Sequence, residues 1–199
     1  MKELRAYVFV LMGTVFGLVW SGGCYGPLGN SASPARKALQ SAPASALLTF
    51  DVPDGVTGGP NTGGAWTTRP LNTEVYDPSD IVALSANQFT LGPGTYVLQA
   101  GQTFFQNVDN QKSFRGRLRN ITSGTTVALS LSVRLHEGPS ESATIECPIP
   151  RTLLTLTAPA SFELQYYCQN ADASTNGLGW PMLTGENERY AYVSIERIN

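Results

Sequence analysis

Histidine is nearly absent: the 199 residues contain one, His136. That excludes a multi-histidine relay and any metal centre that needs several imidazoles. Charge is scarce too, at 14% of residues against about 25% in an ordinary soluble domain. Lysine plus arginine number 13 and aspartate plus glutamate 15, a net charge of -2, which gives no electrostatic footprint for nucleic acid. The chain has no Gly-x-Ser-x-Gly elbow, no Gly-Lys phosphate loop and no zinc-type His/Cys spacing. Asp51, Asp54, Asp77 and Asp80 are too dispersed for a calcium loop. The sequence therefore predicts a protein that is not an enzyme, with no catalytic residue, metal or cofactor.

What is present favours strands. Hydrophobic residues make up 42%, enough for a core, but 20 Gly and 13 Pro interrupt them. With 8 Tyr, 8 Phe and many Val, Thr and Ser, this punctuation favours short strands and turns over long helices.

The amino end is of another kind. A charged head, Met1 to Arg5, precedes an uncharged stretch from Ala6 to Ala35 that is strongly apolar from Tyr7 to Trp20. Ser21-Gly22-Gly23 follows, so residues 1–24 read as a secretory signal or as a retained membrane anchor, expected to be helical. Cys24 resembles the acylated cysteine of a bacterial lipoprotein and is the candidate lipidation site. Either reading carries the rest of the chain out of the cytoplasm. Residues 25–64 are rich in Ala, Ser, Pro and Gly, with a possible short helix after Ser33-Pro34 and a possible small strand at Leu47–Phe50. They are expected to form a flexible tether, with the globular head spanning 65–199.

Seven stretches after Ala65 carry strand signals separated by turn residues. Trp66 to Tyr76 opens, Ile81 to Leu91 follows, and Gly92-Pro93-Gly94 turns the chain into Thr95 to Phe105. Phe89 and Tyr96 straddle that turn and are expected to point into the core. The clearest alternation sets Val127, Leu129, Leu131, Val133 and Leu135 on one face of a half-buried strand. Thr152–Thr157 and Ser161–Cys168 form a further pair, and Tyr190 to Ile198 closes the chain with Ala191, Val193 and Ile195 on one face. The fold class is all-β: a two-sheet sandwich, jelly roll or barrel.

Four segments carry a family resemblance. They are Arg69-Pro70-Leu71-Asn72-Thr73, the run Asn87-Gln88-Phe89-Thr90-Leu91 through Gly94-Thr95-Tyr96, Arg117-Leu118-Arg119-Asn120-Ile121-Thr122, and Phe162-Glu163-Leu164-Gln165 through Cys168, with Asn176-Gly177-Leu178-Gly179 after the last. In this order they resemble the C1q/TNF-like jelly-roll domains of bacteriophage tail fibres and other virion proteins. The resemblance covers Thr67 to Asn199. It implies an antiparallel two-sheet jelly roll, assembly as a homotrimer, and a structural or receptor-binding role on a virion surface. The trimer interface candidates are Tyr190, Tyr192 and Phe104.

Other residues keep two readings. A hairpin turning near Ala158 would set Cys147 nearly opposite Cys168 for a disulfide, which export permits, whereas a jelly-roll crossover would separate them. Arg115, Arg117 and Arg119 form a one-sided basic stripe suited to a sulfate, phosphate or acidic sugar, or simply a solvated sheet face. Tyr167 and Trp180, with Trp66, Tyr76 and Tyr166, offer ring faces to a sugar, although most aromatics of a small sandwich are core. The function expected is a surface-displayed structural or receptor-binding head whose partners are itself, a cell-surface receptor or glycan, and a membrane or particle through the N-terminus. The alternative is a bacterial envelope lipoprotein with a monomeric glycan- or protein-binding sandwich.

Overall fold

The computed structural model describes residues 43–106, 112–135, 142–171 and 175–198. The expected N-terminal helix, Cys24 and His136 lie outside these residues. All regular structure within them is strand.

Two antiparallel sheets stack on one another. The first runs, in spatial order, β3 (Thr73–Tyr76), β1 (Ala44–Val52), β13 (Glu188–Arg197) and β6 (Gly94–Gln106), with β10 (Ala143–Glu146) and β11 (Ile149–Leu156) sharing the far edge of β6. The second runs β4 (Val82–Ser85), β5 (Gln88–Leu91), β12 (Ala160–Cys168) and β7 (Lys112–Asn120). There β2 (Trp66–Thr68) shares one side of β12 with β5, and β8 (Thr125–Leu129) and β9 (Val133–Leu135) share the outer side of β7. The chain passes between sheets from β5 to β6, from β6 to β7 and from β11 to β12. This is the all-β, two-sheet antiparallel jelly roll that the resemblance implied.

Alternation decides what enters the core. Along β12, Phe162, Leu164, Tyr166 and Cys168 turn inward, while Ser161, Glu163, Gln165 and Tyr167 stay partly exposed. Tyr96, Leu98 and Ala100 of β6 and Ala191, Val193 and Ile195 of β13 meet them from the first sheet. Phe89 and Tyr96 are both buried as expected, and Phe89 stacks on Phe162 at 5.4 Å. Each such side chain contributes about 1.5–3 kcal/mol by leaving water.

Several expectations are corrected. The sandwich starts well before residue 65. β1 lies between β13 and β3, with Ala46 and Leu48 fully buried and Asp51 gripped by Arg189 through two 2.9 Å hydrogen bonds. The small strand expected at Leu47–Phe50 is present and longer, Ala44–Val52, and its pairing on both sides makes it part of the sandwich rather than of a tether. Trp66–Tyr76 is two strands, because β2 pairs in the second sheet and β3 in the first. Ile81–Leu91 is a hairpin, turned by Ala86 and Asn87 at φ 51° and 65°, both values of a type I′ turn. The run 127–135 breaks at Ser130, which pairs with Gly116 through backbone and hydroxyl. Ala128 and Ser130 face inward there, while Leu129 and Leu131 are exposed.

Of the two readings of Cys147 and Cys168, the structure has the one in which a crossover separates them, and the bridge does not form. β11 pairs with β6 in the first sheet, so the hairpin that would oppose the two cysteines does not exist. Both are buried and not bonded to one another. Burial, with the nearby Glu146 charge adding, pushes the Cys147 thiol up to about 12.

Arg69, in the crossing from β2 to β3, is fully buried. Its Nη2 donates to the carbonyls of Leu178 at 2.7 Å and Tyr190 at 2.9 Å. The guanidinium lies 5.8 Å from the Phe50 ring centroid and 5.9 Å from that of Phe104. Burial lowers its pKa to about 9. The side chain thus ties the β12–β13 connection and the start of β13 to the core.

Candidate functional site

The outer face of the second sheet is built by register. Tyr167 of β12 stands opposite Trp66 of β2 on one side and Arg115 of β7 on the other. Two residues along, Gln165 stands between Thr68 and Arg117, and two further on, Glu163 stands between Gln88 and Arg119. Period-two geometry sends all of these side chains to the same side. The arginine stripe of β7 therefore lies beside the outward residues of β12.

Polar contacts order this face. Glu163 accepts hydrogen bonds from Thr68 Oγ1 at 2.7 Å, Gln88 Nε2 at 3.0 Å and Gln165 Nε2 at 2.6 Å. Gln165 Oε1 accepts from Arg117 Nε at 2.8 Å. The Arg117 guanidinium sits 4.1 Å from the Trp66 ring centroid, a cation–π contact. Partial burial, with repulsion from Arg119 and against attraction from Glu163, lowers the Arg117 pKa. Trp66 and Tyr167 form a tilted pair with centroids 5.7 Å apart.

Beside that pair opens a groove of about 340 Å³ lined by Trp66, Tyr167, Arg115, Ser113, Ser132 and Phe114. This volume is at the small-molecule end of binding clefts, which span roughly 300–1,000 Å³. Two aromatic rings give apolar walls, Arg115 gives a cation, and two serines give hydroxyls. Such a set can bind and orient a ligand. It includes neither a nucleophile–base pair nor paired carboxylates.

Of the sequence-derived ligand candidates, Arg115, Arg117 and Tyr167 meet here, and Arg119 lies one outward row beyond Arg117. Trp180 does not join them. It stacks on Phe105 of the first sheet with centroids 4.9 Å apart, at the loop before β13. Trp66, for which both a core and a ring-stacking place were open, lines the groove, and sheet pairing puts it there. The outward residues of β12 were readable as an alternation in Phe-Glu-Leu-Gln-Tyr-Tyr, but their facing arginines were not.

The interface candidates separate in the same way. Phe104 is fully buried, stacked on Phe114 at 4.5 Å, and belongs to the core of its own chain. Tyr190 is also buried, and its hydroxyl donates to the Val56 carbonyl at 2.8 Å. Tyr190 and Tyr192 both line a recess on the first sheet, about 260 Å³ in volume, with Glu146, Arg189, Gly101 and Thr103, and of the two Tyr192 is the more exposed. Gly101 makes that recess possible, since a Cβ there would collide with the Tyr192 ring and the Glu146 carboxylate. Among the described residues, no group of His, Cys, Asp or Glu is placed to hold a metal ion.

No family model and no curated protein matches the sequence. Solved structures do. Murine APRIL at pH 5.0 aligns with a TM-score of 0.46 at 11% identity, covering 78% of this chain and 98% of that one. Murine APRIL at pH 8.5 aligns at 0.44 and 11%, covering 77% and 98%. The globular domain of the zebrafish complement 1qA protein aligns at 0.35 and 15%, covering 78% and 94%. The strand order described above, rather than these similarities, defines the jelly roll.

Proposed function

We propose that this protein is a non-enzymatic receptor-binding head, displayed on a virion surface and assembled as a homotrimer, with the outer face of the second sheet as its contact surface. The observation that carries the reading is the row Trp66–Tyr167–Arg115, three strands wide, which lines an open groove with aromatic and cationic groups. Receptor surfaces are enriched in such anchors, because rigid rings bring large contact area at small entropic cost and guanidinium groups add directional hydrogen bonds. The virion setting and the trimer rest on the sequence resemblance, and export and display rest on the apolar residues 1–24. Three shallow sites on one particle-borne trimer would gain avidity through effective concentration.

The test is made on the full-length chain in detergent. Light scattering should give a polypeptide mass three times that of one chain. The trimer should bind bacterial cells and block particle adsorption, and Arg115→Glu or Tyr167→Ala should abolish both effects. A monomer whose cell binding ignores both substitutions would refute the reading.

A further inference from the structure

The groove beside Trp66 has a specific electrostatic character. Arg117 is already committed: its Nε is bonded to Gln165, its Nη1 reaches Thr126 Oγ1 at 3.5 Å, and its plane covers Trp66. Arg115 is exposed, lines the groove, and has Tyr167 rather than an acid opposite it. Glu163, the carboxylate of this face, stands four residues from Tyr167 along β12, roughly 13 Å away at strand rise. Its oxygens accept three hydrogen bonds from Thr68, Gln88 and Gln165. Among the described residues, no carboxylate of its own sheet therefore neutralises the positive charge at the groove, although the protein as a whole is net negative.

The complementary ligand has a flat apolar face for the Tyr167 and Trp66 rings, an anionic group for Arg115, and hydroxyls for Ser113 and Ser132. A pyranose ring bearing an acidic substituent has all three. We infer that the groove lined by Trp66, Tyr167 and Arg115 binds an acidic sugar unit of a surface polysaccharide, with Arg115 pairing the carboxylate or sulfate and the aromatic pair carrying the ring. This rests on the contact surface proposed above and adds the ligand class.

The experiment titrates the full-length trimer calorimetrically with hyaluronan octasaccharide (carboxylates alone), heparin octasaccharide (sulfates and carboxylates) and neutral maltooctaose. At least one acidic probe should bind, and binding should weaken between about 50 mM and about 0.3 M salt as screening shortens. Arg115→Ala, a change on the surface, should weaken acidic binding about tenfold, the worth of one charge-assisted hydrogen bond. Tyr167→Ala should weaken it as well, through loss of ring contact. The two acidic probes separate carboxylate from sulfate recognition. Neutral binding equal to acidic binding, or indifference to Arg115→Ala, overturns the acidic-sugar assignment. So does failure of all three oligosaccharides. In each of these cases the receptor-binding reading survives if cell binding still depends on Arg115 and Tyr167, and falls with the assignment if it does not.

Discussion

Leu48→Ala tests whether the chain before residue 65 is structural or a spacer. Leu48 is fully buried in β1, paired with Val193 of β13 and Glu74 of β3. The change removes three carbons, worth about 0.8 kcal/mol each in transfer free energy, or about 2.4 kcal/mol together. A strand between two others cannot collapse easily into the gap, so a cavity term adds to this and brings the expected loss to about 3–4 kcal/mol. For a domain of this size, that lowers Tm by roughly 6–16 °C. The assay is urea and thermal unfolding followed by tryptophan fluorescence, at one fixed protein concentration because assembly adds to apparent stability. Leu153→Ala is the control: this leucine on β11 is 66% exposed and its truncation should cost under about 0.5 kcal/mol. A Leu48→Ala loss no larger than the control's would refute the placement of β1 in the core. The same logic predicts that a chain beginning at residue 65 does not fold, since it would leave β13 without a neighbour on one side.

Peptide mapping of the non-reduced protein should recover no Cys147–Cys168 linked peptide; finding one would mean that β11 and β12 pair as a hairpin after all. Cys147 has a folded pKa of about 12, raised from an ordinary 9.0 by burial, so its contribution is fully present below about pH 9 and is lost as pH rises toward 12. Cys147→Ala should therefore flatten the fall in stability between pH 9 and 12, and an unchanged profile would show the thiol to be solvated. Arg69→Ala should cost about 3 kcal/mol, since it abandons the carbonyls of Leu178 and Tyr190 and leaves a void. Arg69→Met should cost less, because it keeps an apolar stem against Phe50 and Phe104 and removes a buried charge. The reverse order in chemical denaturation would refute that account.

Within single strands the sequence determined a great deal. Alternation is local, so Ala191, Val193 and Ile195 of β13 and Phe162 and Leu164 of β12 could be assigned to one face without knowing their neighbours. The turn between Phe89 and Tyr96, the all-β class and the one-sided arginine stripe were legible for the same reason. Pairing is not local, and only the tertiary structure decided it. The stretch Ala44–Val52 is a strand because β13 and β3 hydrogen-bond to it on both sides, although the Gly/Pro-rich segment after it reads as linker. An irregularity in the β7–β8 register leaves Val127 as an extra residue and puts Ala128 and Ser130, rather than Leu129 and Leu131, on the core side, which an unbroken period of two could not register. Nothing local marks Arg69 as buried, and the crossing between the sheets is what encloses it. The candidate site has the same origin. Trp66, Arg115 and Tyr167 are far apart in the chain and come together only through the register of β2, β12 and β7. Which way a side chain points depends on its own strand; what it meets there depends on hydrogen bonds to strands elsewhere in the chain.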